Sequence, residues 1–413
     1  MKQHFPALAW AKRLGRLCHL GRGCLLGGLM VITLFSTADA SDFILVEDDR
    51  GVRVKVPRCA NRVVTVSDGM IEGVMTRFGV TEKIIAIGSK AIPLTMDFSY
   101  PTLDGETREI HGAMNTVTYL NPRFMKLPVV ARYGTGIQYE QLAGLNPDLI
   151  IIRTGSSSLY EDEGKNRARL ALLESLDIPL VVLRGPNTHD APRISTLGRE
   201  IRLLGQIFQE EKKAEDLVSF LEETLDGIER RTRKIPPGNR KSILLLGLSP
   251  RSRIKGGAGY VRGTHTLQTH LMTRFVHAEN AFGRPGAWRL LNIEHLLALD
   301  PDVIVLATSG GYHPPGELYD APYYQSLKEM RAIRNRNVSA LPFTPCNCEK
   351  RLEYPIDVMV MAKAAYPELF RDINLPSWLL AFYRNLYGID QATARGLLSC
   401  QCMDWTLGAS KSP

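Results

Sequence analysis

The chain has 413 residues, 44% of them hydrophobic and 23% charged, which are ordinary globular values with room for two domains. Its formal charge of +8 includes a basic leader of five basic residues and one acidic one, so the remainder carries only +4. That is too mild for nucleic-acid binding as the main role, and it suits a small anionic ligand.

The leader holds Lys12, Arg13, Arg16 and Arg22, then an uncharged apolar run over 24–35, then Ala38-Asp39-Ala40. This pattern predicts a secretory signal peptide over 1–40, cleaved after Ala40, and hence an extracytoplasmic (periplasmic) protein. The apolar run, about a dozen residues, is shorter than the roughly 20 a membrane span needs. Cys18 precedes the apolar run and Cys24 opens it, whereas a lipid-modified cysteine would follow it, which disfavours a lipoprotein.

From residue 43, alternation over 43–56 predicts a β-hairpin turning near Arg50-Gly51. An apolar strand follows over 62–66, a helix over 70–78 stopped by Gly79, and a strand over 84–87. Residues 91–133 are long, proline-punctuated and without clear period. A helix over 166–176 and a strand over 180–183 complete a βαβ pattern. Apolar residues then fall at helical spacing from Leu197 to Ile228, with no glycine or proline between Gln206 and Asp226. This reads as one or two long connecting helices, ended by Pro236-Pro237-Gly238. Beyond lie a strand at 242–246, a glycine-rich loop at 255–263, a helix at 266–275, a helix at 322–330, a strand at 338–341, and helices at 352–365 and 375–387. The glycine loop fits neither nucleotide-binding fingerprint. The predicted division is 1–40 signal, 41–190 first lobe, 191–236 helical linker, 237–398 second lobe and 399–413 tail.

One segment occurs twice. Residues 140–152 read EQLAGLNPDLIII and residues 294–306 read EHLLALDPDVIVL, an offset of 154 that also carries Thr154 onto Thr308. Two copies indicate two similar lobes, not a solenoid. Each copy is a short helix, a Pro-Asp turn and an apolar strand whose small polar end faces a cleft.

Five cysteines follow the leader. Cys59 reads as a small buried residue. Cys346, Cys348, Cys400 and Cys402 form two C-x-C pairs. Disulfides between the pairs are preferred over a four-thiolate metal site, because C-x-C lacks the usual C-x₂-C turn.

These features together resemble the substrate-binding proteins of ABC importers that carry iron–siderophore complexes, haem or cobalamin. The resemblance rests on RVVTVSDGMIEGVMTRFG followed by IIAIGS, on the paired E-x-L-x-x-L-x-P-D segments, on the inter-lobe helix, and on DVMVMAKAAYPELF. It covers about 60–370. It implies an α/β fold of two Rossmann-like lobes with parallel sheets, joined by a long α-helix, with the ligand cleft between the lobes. It implies a binding protein and not an enzyme, with no cofactor of its own, a transported metal chelate as ligand, and an inner-membrane permease dimer as partner. Glu140 and Glu294 match the two carboxylates that dock on that permease.

Ligands of open α/β sheets sit past the strand ends. That places Ser67, Asp68, Thr154 and Arg184 of the first lobe, with Tyr133 before the first repeat helix, as candidate contacts. Arg262, Arg284, Trp288, Ser309 and Tyr312 are their counterparts in the second lobe. His111 and His313 are candidate axial ligands; the metal itself is not specified. The chain departs from the resemblance in its 91–133 insert, its C-x-C pairs and its extended end. A bare oxyanion such as molybdate or tungstate, a periplasmic chelatase-like enzyme, and a structural or redox module built on the cysteines are the alternatives.

Overall fold

The computed structural model describes residues 42–132, 136–156, 159, 163–189, 191–308, 311–344 and 351–408. The segment expected to be a signal peptide, its expected cleavage point, Tyr133, Ser309, Cys346 and Cys348 lie outside them.

The described residues open with the expected hairpin, β1 (Phe43–Glu47) against β2 (Arg53–Pro57). Cys59 is exposed, not buried; the turn after β2 directs Ala60 inward instead. The first sheet contains β3 (Val63–Val66), followed by α1 (Met70–Phe78), and β4 (Ile84–Ile87). The expected irregular insert is ordered. It forms an antiparallel hairpin, β5 (Thr95–Pro101) with β6 (Thr107–Met114), then α2 (Thr116–Leu120) and a 3₁₀ turn, Pro122–Lys126. Met96, Phe98 and Tyr100 face one side of β5 at the two-residue period, while the other side is polar and exposed. The short strands β7 (Ala131–Arg132) and β8 (Gly136–Ile137) lead into α3 (Tyr139–Gly144), β9 (Leu149–Thr154), α4 (Glu163–Glu174) and β10 (Leu180–Arg184). The sheet order is β10-β9-β3-β4, all parallel.

The connector is two helices, α5 (Thr196–Phe208) and α6 (Glu211–Thr232). They break at Gln209, which takes a left-handed conformation. The second lobe holds β11 (Ser242–Gly247), α7 (Pro250–Ile254), β12 (Gly259–Val261), α8 (Leu267–Leu271) running into a π-helical turn (Met272–Val276), β13 (Glu279–Asn280), β14 (Arg289–Leu291), α9 (Ile293–Leu299), β15 (Val303–Leu306), α10 (Pro315–Asp320), α11 (Arg331–Arg334) and β16 (Val338–Ala340). Part of the expected glycine loop is therefore strand β12. Its core β11-β15-β16 is parallel, but β12 and β14 add an antiparallel ribbon at the edge. The expected helix over 322–330 is a 3₁₀ turn, Pro322–Leu327. Helices α12 (Tyr354–Ala365), α13 (Leu375–Tyr387) and α14 (Gln391–Cys400) complete the fold.

The strands are apolar on both faces, as buried parallel sheets require. Alternate residues enter different cores. Val63 and Ile151 of the first sheet, and Ile243, Leu245, Val303 and Val305 of the second, share one core with α5, α6 and α12. The opposite faces are separate: Val64, Val66, Ile150 and Ile152 in one cluster, and Leu244, Leu246, Ile304 and Leu306 in another.

The repeat has a mechanical explanation. Asn146 and Asp300 both take positive φ where the short helix ends. The Pro-Asp carboxylates then clamp the first strand of each lobe. Asp148 accepts from the amides of Asn61 and Arg62 at 2.8 and 3.0 Å, and Asp302 accepts from the Ser242 amide at 2.9 Å.

Candidate functional site

The centre of the first lobe's strand ends is occupied by the chain itself. Ser67 and Asp68 are buried. The Ser67 hydroxyl donates to Glu72 and accepts from the Gly69 and Ile71 amides, capping α1. The Ser89 hydroxyl donates to the Asp68 carboxylate at 2.5 Å, and the Asn115 side-chain amide donates to the Asp68 carbonyl at 3.2 Å. Gly69 has φ 117°, and a Cβ there would meet Arg351 Cδ at 3.0 Å and the Asn115 amide at 3.2 Å. Glycine is required both by that conformation and by that approach. Arg351 is buried beside Glu353, whose carboxylate accepts from Thr116 at 2.5 Å and from the Tyr387 hydroxyl. Sequence reasoning missed Asn115, Arg351 and Glu353, because nothing in their local pattern marks a partner hundreds of residues away.

On the second lobe, the β5–β6 hairpin fills the strand-end face. Phe98 packs on Phe343 with ring centroids 5.5 Å apart and on Tyr312 at 6.4 Å. A Cβ on Gly311 would meet Phe98 at 3.0 Å. Tyr100 joins the second lobe's own core, and the Leu103 amide donates to the Asp320 carbonyl at 2.9 Å. Tyr312 is therefore buried under the hairpin. His313 is buried with Nδ1 2.6 Å from Glu317, whereas His111 is exposed on the hairpin between Asp97 and Glu109, whose hydrogen bonds raise its pKa. Arg262 is buried, with its guanidinium 3.4 Å above the Trp288 ring. Trp288 is exposed and meets Tyr260 edge-on at 5.8 Å. Arg284 is exposed beside this ribbon, and its carbonyl accepts from the Thr264 amide at 2.9 Å.

Thr154 and Thr308, paired by the repeat, tie neighbouring strand ends together. Thr154 donates to the Leu183 carbonyl at 3.1 Å, and Thr308 to the Pro342 carbonyl at 3.4 Å. Thr154 also lines a cavity of about 820 Å³ at the ends of β9 and β10, with Arg184 on its wall. That volume lies in the range of small-ligand sites, ~300–1,000 Å³. Arg167 and Arg193 line it too, from segments that sequence reasoning treated only as helix and connector.

At the opposite end of the repeat, Glu140 and Glu294 are exposed in the first turns of α3 and α9. Asn292 caps α9 by accepting from the His295 amide at 2.9 Å. Cys400 and Cys402 are buried, and burial pushes the Cys402 thiol up to about 12. Between them, Gln401 bonds Phe343 twice, amide to carbonyl in each direction, at 2.8 and 2.7 Å. The end of the chain is thus fastened beside the segment that leads to Cys346. Among the described residues, no three His, Cys, Asp or Glu side chains are grouped to hold a metal.

A family model described as periplasmic binding protein matches residues 101–345. The chain belongs to the periplasmic binding protein family. As such a protein it binds a solute and is not a catalyst; the solute is cargo, not a cofactor. It is 23% identical over 351 residues to the uncharacterized ABC transporter substrate-binding lipoprotein YvrC of Bacillus subtilis (strain 168), covering 84% of this chain and 96% of that one. A periplasmic solute binding protein from Veillonella parvula DSM 2008 shares the fold with a TM-score of 0.68, at 19% identity, over 89% of this chain and 99% of the other. The molybdate periplasmic binding protein MolA of Haemophilus influenzae, solved with molybdate, superposes with a TM-score of 0.62 at 15% identity, over 84% and 98%.

Proposed function

We propose that this periplasmic binding protein captures a metal chelate outside the cytoplasm and delivers it to the permease dimer of an ABC importer. The observation that carries the reading is the repeat. Glu140 and Glu294 are exposed at the starts of two equivalent helices, and in this reading the strand ends behind them face the ligand. Two like carboxylates related by a pseudo-two-fold suit a symmetric partner with basic residues. Iron–siderophore, haem and cobalamin are the chelates the sequence resemblance favours. Arg184, Arg284 and Trp288 are exposed enough to touch ligand directly. Ser67, Asp68, Thr154, Arg262 and Tyr312 would act from beneath, by shaping the walls, with Tyr133 and Ser309 completing the set. Residues 1–40 act as the export signal in this reading, and lobes at 41–190 and 237–398 flank the linker. Cys400 and Cys402 pair with Cys346 and Cys348 as disulfides; mass measurement of the oxidised protein before and after reduction tests this, and retained metal would point to a thiolate site.

The deciding experiment combines Glu140→Ala and Glu294→Ala. Ligand affinity should be kept and uptake lost; unchanged uptake would sink the docking assignment. Purification from the native compartment with absorption spectroscopy and metal analysis identifies the cargo. A bare oxyanion is the second reading, favoured by the molybdate held by the Haemophilus relative, and co-purified molybdenum without a chelator would select it.

A further inference from the structure

Several arginines of the chain are held in ion pairs. Arg202 holds Glu215 at 2.7 Å, Arg231 holds Asp372 at 2.6 Å, and Arg331 reaches Asp300 and Asp302. The cavity at the ends of β9 and β10 gathers arginines around one concave space. Four arginines line it, Arg50, Arg167, Arg184 and Arg193, against the one lining carboxylate of Asp49 among the described residues. Asp49 is already engaged by the Arg199 guanidinium at 2.6 Å and the Arg184 amide at 2.8 Å. Arg50 is neutralised by Asp48 at 2.7 Å and Glu174 at 2.5 Å. Arg167, Arg184 and Arg193 remain exposed, and none forms an ion pair with a described carboxylate. Among the described residues, the Arg184 side chain donates to a neutral acceptor, the Thr188 carbonyl, at 3.2 Å. Three cations around one concave space repel one another, and a concave wall concentrates their field. Guanidinium groups are also the side chains best matched to carboxylate and phosphate in bidentate geometry.

The rest of the ligand face directs attention to the same place. The centre of the first sheet is closed by Arg351 and Asn115, and the second lobe's face by Phe98 of the hairpin. Space of about 820 Å³ survives at the β9–β10 edge.

We infer that this cavity binds a solute bearing several carboxylate or phosphate groups, held by Arg167, Arg184 and Arg193. The inference rests on the proposed role as a solute receptor and narrows its cargo to multiply anionic chelates, against an uncharged corrinoid. Isothermal titration with ferric citrate, iron-free citrate and cyanocobalamin tests it on the exported protein. Ferric citrate should bind wild type, and binding should weaken as salt rises from ~0.05 to ~0.5 M. Each of Arg167→Gln, Arg184→Gln and Arg193→Gln should lose about tenfold in affinity, and the triple variant at least about a hundredfold. Lysine at the three positions should recover part of the loss. The melting temperature should stay unchanged, since these side chains are exposed. Equal affinity in the triple variant, preference for cyanocobalamin, or no binding of either citrate probe would overturn the inference. Failure of the receptor reading is separable: the Glu140→Ala, Glu294→Ala variant would then transport normally while the arginine variants still lost anion binding.

Discussion

Glu72 offers a quantitative test of the fold at the centre of the first lobe. It lies on α1 beneath β3, wholly buried, and accepts hydrogen bonds from Thr65 at 2.5 Å and from Ser67. Burial pushes its pKa from 4.5 up to about 7, against the pull of those two hydroxyls. The folded protein therefore keeps a proton that the unfolded chain has released. The associated stability is complete below pH 4.5 and is lost as pH rises through 7. Holding that proton from 4.5 to about 7 is worth ~3 kcal/mol. With an unfolding entropy of ~2.1 cal/mol/K per residue, a chain of this size should lose about 4 °C in melting temperature. Circular-dichroism melts of wild type and Glu72→Gln at pH 5 and pH 8 provide the measurement. Other carboxylates titrate in both proteins, so the informative quantity is the difference between them. Glu72→Gln should gain about 4 °C relative to wild type between the two pH values. Parallel pH profiles would refute the assignment of a buried, proton-holding carboxyl.

Three further outcomes follow from particular contacts. Phe98→Ala should free the hairpin from the second lobe, costing roughly 1–3 kcal/mol for a half-buried aromatic, with faster hydrogen exchange at the Leu103 amide and unchanged exchange in β9 and β15. Asp302→Ala removes the acceptor of both the amide and the hydroxyl of Ser242 and should cost about 2 kcal/mol in urea unfolding, with Asp148→Ala giving a similar loss in the other lobe. Glu200→Gln removes the carboxylate 3.0 Å from the buried Arg153 guanidinium and should lower stability in urea unfolding by more than Arg202→Gln on the surface, which should cost under about 1 kcal/mol.

Local pattern carried much of the fold. The β1–β2 hairpin, α1 and its Gly79 stop, and α13 lie where turn chemistry and helical spacing place them, because each is decided by neighbours in sequence. The insert was opaque for a physical reason. Only one side of β5 is apolar, and it packs on a lobe more than a hundred residues away, so its Met96, Phe98 and Tyr100 register looks weak without that surface. The candidate site was half legible. Thr154 and Arg184 follow from the rule that strand ends face ligand, and both line the cavity. Ser67, Asp68 and Tyr312 obey the same rule, yet their space is filled by Asn115, Arg351 and Phe98, which approach from distant segments. Arg167 and Arg193 gave no signal, because an exposed arginine on a helix or connector looks the same whether or not its carboxylate is missing.

The distribution of apolar residues bears on how a ligand enters and leaves. One face of each sheet is embedded in the same core, through Val63 and Ile151 on one side and Ile243, Leu245, Val303 and Val305 on the other. Swinging the lobes wide apart would draw such side chains into water at ~1.5–3 kcal/mol each, so six of them already match a typical domain's whole stability. The hairpin is held to the second lobe by smaller or only partly buried groups: Phe98, Tyr100, Met96, Ile110 and Ala113, a backbone bond from Leu103 and the Gln401 side-chain amide on the Met114 carbonyl. Its release exposes less apolar surface than separation of the two sheets, so a docked partner's differential binding energy reaches it first. Exchange of ligand is therefore expected through movement of the hairpin and a small tilt about α6, with the two sheets keeping their common core.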